Sequence, residues 1–320
     1  MVDYHFISNA LFHSFAAQKA SIFTRKHLFS GIVNRISAAV TKKEAISNNN
    51  GNNVCPASQS GIKDKKSDTC DTDSKSEFTS FLESNRILSS EVKRIVSEEI
   101  LSLDSKMLTL GRRDLEFGGT TAIIALRLHS LNRLLVANVG DSRGVLCNSR
   151  GMVVPLSHDH KPQNPVEHKR IKAAGGFIKF NGVWRVAGIL ATSRALGDSF
   201  LKDKKFITAD PEIMMFDLSD HQPQFMILAS DGLWDAFTND EAVRFVKEYL
   251  SLMRKKGRTE DLAYEAAKSL TMEAYKRLSL DNITVLIVVF DPKEFHSMST
   301  SFGIYSSQRN KHTTNQTLKH

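Results

Sequence analysis

Apolar residues along this 320-residue chain follow two periods, and the change from one to the other marks its elements. Leu88, Val92, Ile95 and Val96, continued by Leu101 and Leu103, recur at helical spacing through SSEVKRIVSEEILSLDSKML, which predicts a helix with one buried face. The runs TTAIIALRL, RLLVANV and GVLC follow, bounded by Gly, Asn, Asp and Ser, and predict antiparallel strands. Asn164 followed by Pro165 starts a predicted helix, PVEHKRIKAA, that Gly175 stops. Two longer amphipathic helices are predicted later: NDEAVRFVKEYLSLM from an Asn cap at Asn239, and TEDLAYEAAKSLTMEAYKRL from a Thr cap at Thr259 with Asp261 close behind. Between and after them lie the strand-length runs FMILA and ITVLIVVF. Strands in a run, with helices grouped before and after and no regular β-α-β alternation, predict an α+β fold with antiparallel sheets. ITVLIVVF is apolar along most of its length, so both its faces should be covered, as in a β-sandwich of two sheets flanked by helices.

The flanks read differently. The first 45 residues hold only Asp3 and Glu44 as acids, against Lys19, Arg25, Lys26, Arg35, Lys42 and Lys43. That balance resembles an amphipathic transit peptide, with an unstructured extension as the alternative. Residues 46–80 are polar and poor in apolar side chains, too poor to offset the entropy of ordering them, and read as a linker. The expected organisation is a disordered leader and linker over 1–80, a folded region over 81–295 and a disordered tail over 296–320.

Composition narrows the function classes. A hydrophobic content of 41% suits a globular core, and no apolar run approaches the ~20 residues that span a bilayer, so no transmembrane segment is expected. The net charge of +8 would suit nucleic acid if it were clustered, but residues 81–295 hold 30 of the 43 basic and 28 of the 35 acidic side chains. A nearly neutral core region argues against a phosphate-tracking groove, so no nucleic-acid partner is expected. Cys55, Cys70 and Cys147 have neither the spacing of a zinc site nor an even count for a disulfide framework, which points to a reducing intracellular compartment, cytoplasmic by default and mitochondrial if the basic leader is a targeting signal.

The candidate chemistry is carboxylate chemistry at strand ends. Asp231 follows FMILAS and Asp281 precedes ITVLIVVF; if those strands are antiparallel neighbours, both acids share one edge of the sheet. Asp141 sits between LLVANV and GVLC, Asp198 ends ATSRALGD, and Asp235 lies four residues after Asp231. Clustered carboxylates at such positions suit a hard divalent cation, Mg²⁺ or Mn²⁺, although Asp at a strand end also serves as a plain turn former. Trp234 is either a pocket wall or an interior aromatic. His158 and His160 in LSHDHKP point to opposite faces of an extended segment and read as surface residues. Arg185 and Arg194 could meet phosphate, or Arg194 could pair with Asp198.

GGTTAIIAL, LLVANVGDSRGVLC, LSHDHKP, RIKAAGGFI, RVAGILATSRALGD, FMILASDGLWDAF and DNITVLIVVF, in this order, resemble the metal-dependent protein Ser/Thr phosphatases of the type-2C (PPM-type) family, most closely its 1-like (epsilon) branch. The resemblance runs from about Ile100 to about Pro292, and implies two central antiparallel sheets flanked by helices with metals in a cleft at one end. It further implies two Mg²⁺ or Mn²⁺ ions, a metal-activated water that attacks phosphoserine or phosphothreonine, and a monomer acting on phosphoprotein substrates. By motif match Asp231 and Asp281 are implied metal ligands, and Asp141 and Asp235 match positions of a weaker third metal.

One departure stands against these agreements. The family's DGHGG motif, with its bridging carboxylate and its histidine suited to act as general acid, has no counterpart, and neither has the upstream RxxxED motif with its phosphate-binding arginine. The only histidines before residue 129 are His5, His13 and His27, none preceded by Asp-Gly. Loss of a shared anion between two dications should weaken the second metal by on the order of several kcal/mol. The expectation is therefore a partial phosphatase domain over 81–295 lacking its N-terminal strands, with a catalytically impaired member that binds or regulates phosphoproteins as the alternative.

Overall fold

The computed structural model describes residues 18–50, 73–111, 118–258, 261–290 and 300–307. Two long helices come first, α1 (Gln18–Asn50) and α2 (Asp73–Gly111). Strands β1 (Gly119–Thr120), β2 (Ala122–Leu128), β3 (Arg133–Val139), β4 (Arg143–Asn148) and β5 (Val153–Pro155) follow, then α3 (Pro165–Ala173) and the hairpin β6 (Ile178–Asn181) and β7 (Val183–Val186). β8 (Leu196–Gly197), α4 (Ser199–Asp203), β9 (Glu212–Asp217), α5 (Leu218–His221), β10 (Pro223–Ala229) and α6 (Asp231–Trp234) lead to α7 (Asn239–Lys255), α8 (Leu262–Lys276), β11 (Ile283–Phe290) and β12 (Thr300–Ser307).

Side-chain alternation divides these strands among layers. One sheet has the order β12-β11-β10-β4-β5 and another the order β2-β3-β9, with neighbours antiparallel throughout both. Ile123 and Ala125 of β2, Leu134 and Val136 of β3, Met226 and Leu228 of β10, and Leu286 and Val288 of β11 meet between the sheets. The alternate residues face outward into two further cores. Ile124, Leu126, Leu135 and Ala137 pack beneath α1 and α2, while Phe225, Ile227, Val285 and Ile287 pack beneath α7 and α8. A strand buried on both faces has to be apolar at every position, and that is why ITVLIVVF shows no polar alternation. The α+β sandwich expected from the strand and helix runs is the fold observed.

Two expectations need correction. Residues 18–50 were expected to be unfolded and instead form α1, whose Ala20, Thr24, Leu28, Ile32 and Ile36 are all buried. These residues recur every fourth position, a stripe that the Lys, Ser and Ala around them conceal. Within the expected tail, Thr300–Ser307 forms β12 along the outer edge of β11, and a Cβ on Gly303 would lie 2.0 Å from the Tyr264 backbone nitrogen, so only glycine allows that approach to α8. Residues 51–72, most of the expected linker, lie outside the described residues, as do 1–17, 291–299 and 308–320.

Details also shift. Leu101 is 40% exposed, and the buried face of α2 continues instead through Ile100, Leu103 and Met107. Asn164 caps α3 as expected, its side chain accepting from Val166 N. α7 is capped by Thr238 rather than Asn239, in a reciprocal capping box with Glu241. The residue before α8 is Asp261, at φ 54° with no side-chain cap bond, and Thr259 lies outside the described residues.

Candidate functional site

The β10–β11 ladder pairs Ala229 with Val285, so the end of one strand and the start of the other meet at one edge of the sheet. Asp231 opens α6 just past β10, and Asp281 stands just before β11. This corner is stapled by backbone and hydroxyl groups. Ser230 N donates to Thr284 O at 3.1 Å, Thr284 N donates to Ser230 Oγ at 3.1 Å, and Ser279 Oγ donates to Gly232 O at 2.6 Å. A Cβ on Gly232 would lie 2.4 Å from Asn282 O, so the glycine after Asp231 is what lets the two acid-bearing corners close on each other. Trp234 is an interior residue, with Nε1 donating to Ala229 O at 2.9 Å.

Asp141 enters from the turn between β3 and β4. Gly140 before it has φ 117°, and a Cβ there would meet Thr121 Cγ2 at 2.4 Å. The turn is held by His160: Gly140 N donates to His160 Nδ1 at 3.0 Å, and His160 N donates to Gly140 O at 3.0 Å. Asn138 Nδ2 adds a bond to the same carbonyl at 3.1 Å. With His160 fixed, the next residue is delivered to the acids. Lys161 Nζ donates to Asp141 Oδ2 at 2.6 Å.

The charges of this corner report on one another. Burial disfavours the Lys161 ammonium, but Asp141, Asp231 and Asp159 outweigh it and raise its pKa. Asp235 is exposed at the rim; partial desolvation, opposed by Lys161 and then reinforced by Asp141, Asp281 and Asp159, raises its carboxyl. Three of the four acids expected as ligands, Asp141, Asp231 and Asp235, are therefore within electrostatic reach of one lysine, and Asp281 is within reach of Asp235. Asp159, a fifth, is claimed by Arg143, whose Nε and Nη2 reach its two oxygens at 2.8 and 2.7 Å while its guanidinium lies 5.2 Å from the Trp234 ring centre.

Other candidates sit apart. Asp198, at φ 52°, lies beside Asp104 of α2 and Lys202 of α4, and burial, against the pull of Lys202, raises its pKa to about 6. It does not pair with Arg194. That arginine instead donates to Glu167 of α3 at 2.6 Å, and Glu167, which burial alone would push up, is held down at about 2 by Arg194, Ser193 and Arg170. Arg185 donates to its neighbour Ile189 O at 2.7 Å. His158 is exposed on Glu212, while His160 is 4% exposed, so the two do face opposite ways but only one is a surface residue.

Carboxylates with one ammonium among them have the donor chemistry of a site for Mg²⁺ or Mn²⁺. Among the described residues no three acidic, His or Cys side chains close on a single point, so the acids form an open cluster and not a finished cage. Sequence reasoning missed Lys161, His160, Asp159 and Glu167. The one available signal was the alternation in LSHDHKP, which places His158 and His160 on opposite faces.

The Protein phosphatase 2C family profile matches residues 14–283, taking in α1 and α2 as well as the strands. Protein phosphatase 1L of Bos taurus is 52% identical over 206 residues, covering 64% of this chain and 53% of that protein. Probable protein phosphatase 2C 59 of Oryza sativa subsp. japonica is 43% identical over 219 residues, 68% of this chain and 62% of that protein. The chain thus spans between half and two thirds of the length of these relatives. The structure of serine-threonine phosphatase 2C from Toxoplasma gondii shares the fold with a TM-score of 0.61 at 21% identity, over 88% of this chain and 84% of that one. With a profile match over most of its length and the acid-bearing strand ends it brings together, the chain belongs to the protein phosphatase 2C family.

Proposed function

We propose that this chain is a metal-dependent hydrolase of phosphoserine and phosphothreonine in proteins, acting as a monomer. The observation that carries the reading is the meeting of Asp231 and Asp281 at the joined ends of β10 and β11, with Asp141 and Asp235 in electrostatic reach. Asp231 and Asp281 would hold Mg²⁺ or Mn²⁺, and Asp141 and Asp235 a more weakly bound ion. When bound, the metal supplies an activated water for in-line attack at phosphorus. The protein's own part is to orient and to compensate charge. The Ser230, Thr284 and Ser279 bonds hold the two ligand corners together, and Lys161 and Arg143 offset part of the carboxylates' charge through Asp141 and Asp159.

A second reading, a catalytically impaired member that binds phosphoproteins, is favoured by the Lys161–Asp141 ion pair together with the absence of any Asp-Gly-His in the sequence. Hydrolysis of a phosphothreonine peptide by the purified chain, with and without Mn²⁺, separates the two. The hydrolase reading expects Mn²⁺-dependent turnover that Asp231→Asn abolishes; binding of the peptide without turnover sinks it and supports the second. For the compartment, burial of Leu28, Ile32 and Ile36 in the core supports the cytoplasm, since removal of that stretch as a transit peptide would strip a layer from the fold.

A further inference from the structure

We propose that Lys161 is a tethered stand-in for the cation at Asp141: its ammonium holds that carboxylate while no metal is bound, and competes with a divalent ion for it. The inference rests on the reading of Asp141 as a metal ligand. Its support is geometric. The Asp141 side chain is 8% exposed, so its charge requires a nearby compensating cation, and Lys161 Nζ meets Oδ2 at 2.6 Å. Arg143, a second cation beside the cluster, is already engaged by Asp159 and by Asn239 Oδ1 at 2.8 Å. Among the described residues Lys161 is thus the cation in direct contact with Asp141, with Asp231 also within its reach.

The two partners are built differently. Asp141 is set in a turn pinned at Gly140 by both bonds to His160, so its backbone is held independently of the cation its side chain faces. Lys161 sits on a flexible four-carbon stem and is 28% exposed, so its ammonium has a route to water when a dication takes its place. Metal binding at Asp141 then has to break an existing ion pair, and the affinity observed is the metal's own less that of the lysine. A fixed ligand with a removable occupant gives a weak site without any change in the ligand.

Lys161→Met tests this, because it keeps most of the stem and removes the charge. Thermal unfolding without metal should occur at a lower temperature in the variant than in the parent chain, Mn²⁺ should restore more of it, and calorimetric Mn²⁺ affinity should rise tenfold or more. Lys161→Gln, which keeps a polar end, should move in the same direction and serves if the first variant does not fold. The gain should vanish when Asp141→Asn is added; a gain that survives reflects the general field of the cluster and overturns the proposal. Unchanged or weaker Mn²⁺ binding in both single variants also overturns it, since the lysine would then assist the metal or be irrelevant to it. The ligand reading is judged separately: Mn²⁺ binding by the parent chain that survives both Asp231→Asn and Asp141→Asn sinks that reading, whatever Lys161 does.

Discussion

His160 accepts the Gly140 N–H through Nδ1, and it can do so only while that nitrogen carries no proton. Burial, then Arg194, lowers its pKa to about 4 against the opposing pull of Glu167, Glu212 and Asp159. Unfolded, it takes up a proton near its ordinary 6.5. Between those two values the unfolded chain binds a proton that the folded chain refuses, so stability falls as pH is lowered from about 6.5 to about 4, by on the order of 3 kcal/mol. Asn at this position offers an oxygen acceptor that does not titrate. His160→Asn should therefore flatten the dependence of the urea midpoint on pH across that window, and an unaltered slope would show that other groups carry it. The residue scale also shows what was legible. Asp141, Asp231, Asp235 and Asp281 stood out because each lies close to a strand end and beside Gly, Asn or Trp. Lys161 and His160 did not, because their roles depend on a loop folding back onto a turn 20 residues earlier. Of the two alternatives for Arg194, the pair with Asp198 is not formed, because Glu167, distant in sequence and 2% exposed, partners Arg194 instead.

At the scale of elements, α7 carries the most explicit start signal. Thr238 Oγ1 accepts from Glu241 N at 3.3 Å while Glu241 Oε2 accepts from Thr238 N at 2.9 Å, satisfying two orphan donors of the first turn. Arg277, at the end of α8, donates to Ala236 O at 3.2 Å and stacks 3.8 Å from the Phe237 ring centre, so the cap also joins α7 to α8. Thr238→Ala should cost about 1 kcal/mol, read as a lowered urea midpoint with unchanged slope; a midpoint equal to the parent's would mean that Arg277 alone holds the junction. Strands were legible here because alternation or continuous apolarity is a local property. The cap was displaced by one residue because Asn239 and Thr238 are both good caps, and Asn239 is instead engaged by Arg143. β12 was invisible because TSFGIYSS is mostly polar, and only the edge of β11 gives it a reason to be a strand.

The whole molecule is four layers deep, helices outside and sheets inside, and its site lies where one sheet's strand ends meet the turn that leaves the other sheet. Asp231 and Asp281 belong to the five-stranded sheet, while Asp141 follows β3 of the three-stranded sheet, so the cluster spans the interface between them. The three-stranded sheet has α1 and α2 as its outer cover. Composition assigns α1 to a leader; packing makes it part of the layer that supports the Asp141 turn. The two assignments differ measurably at Ile32, which is fully buried in that layer. If the first 50 residues were an independent extension, Ile32→Ala would leave the unfolding of the rest unchanged. As part of the core, it removes buried methylenes and leaves a cavity, costing about 2–4 kcal/mol. The expected result is a single urea transition with a lower midpoint, and weaker Mn²⁺-induced stabilisation if the loosened sheet displaces Asp141 relative to Asp231. An unchanged midpoint would return α1 to the status of a leader and leave the three-stranded sheet to be covered by α2 alone.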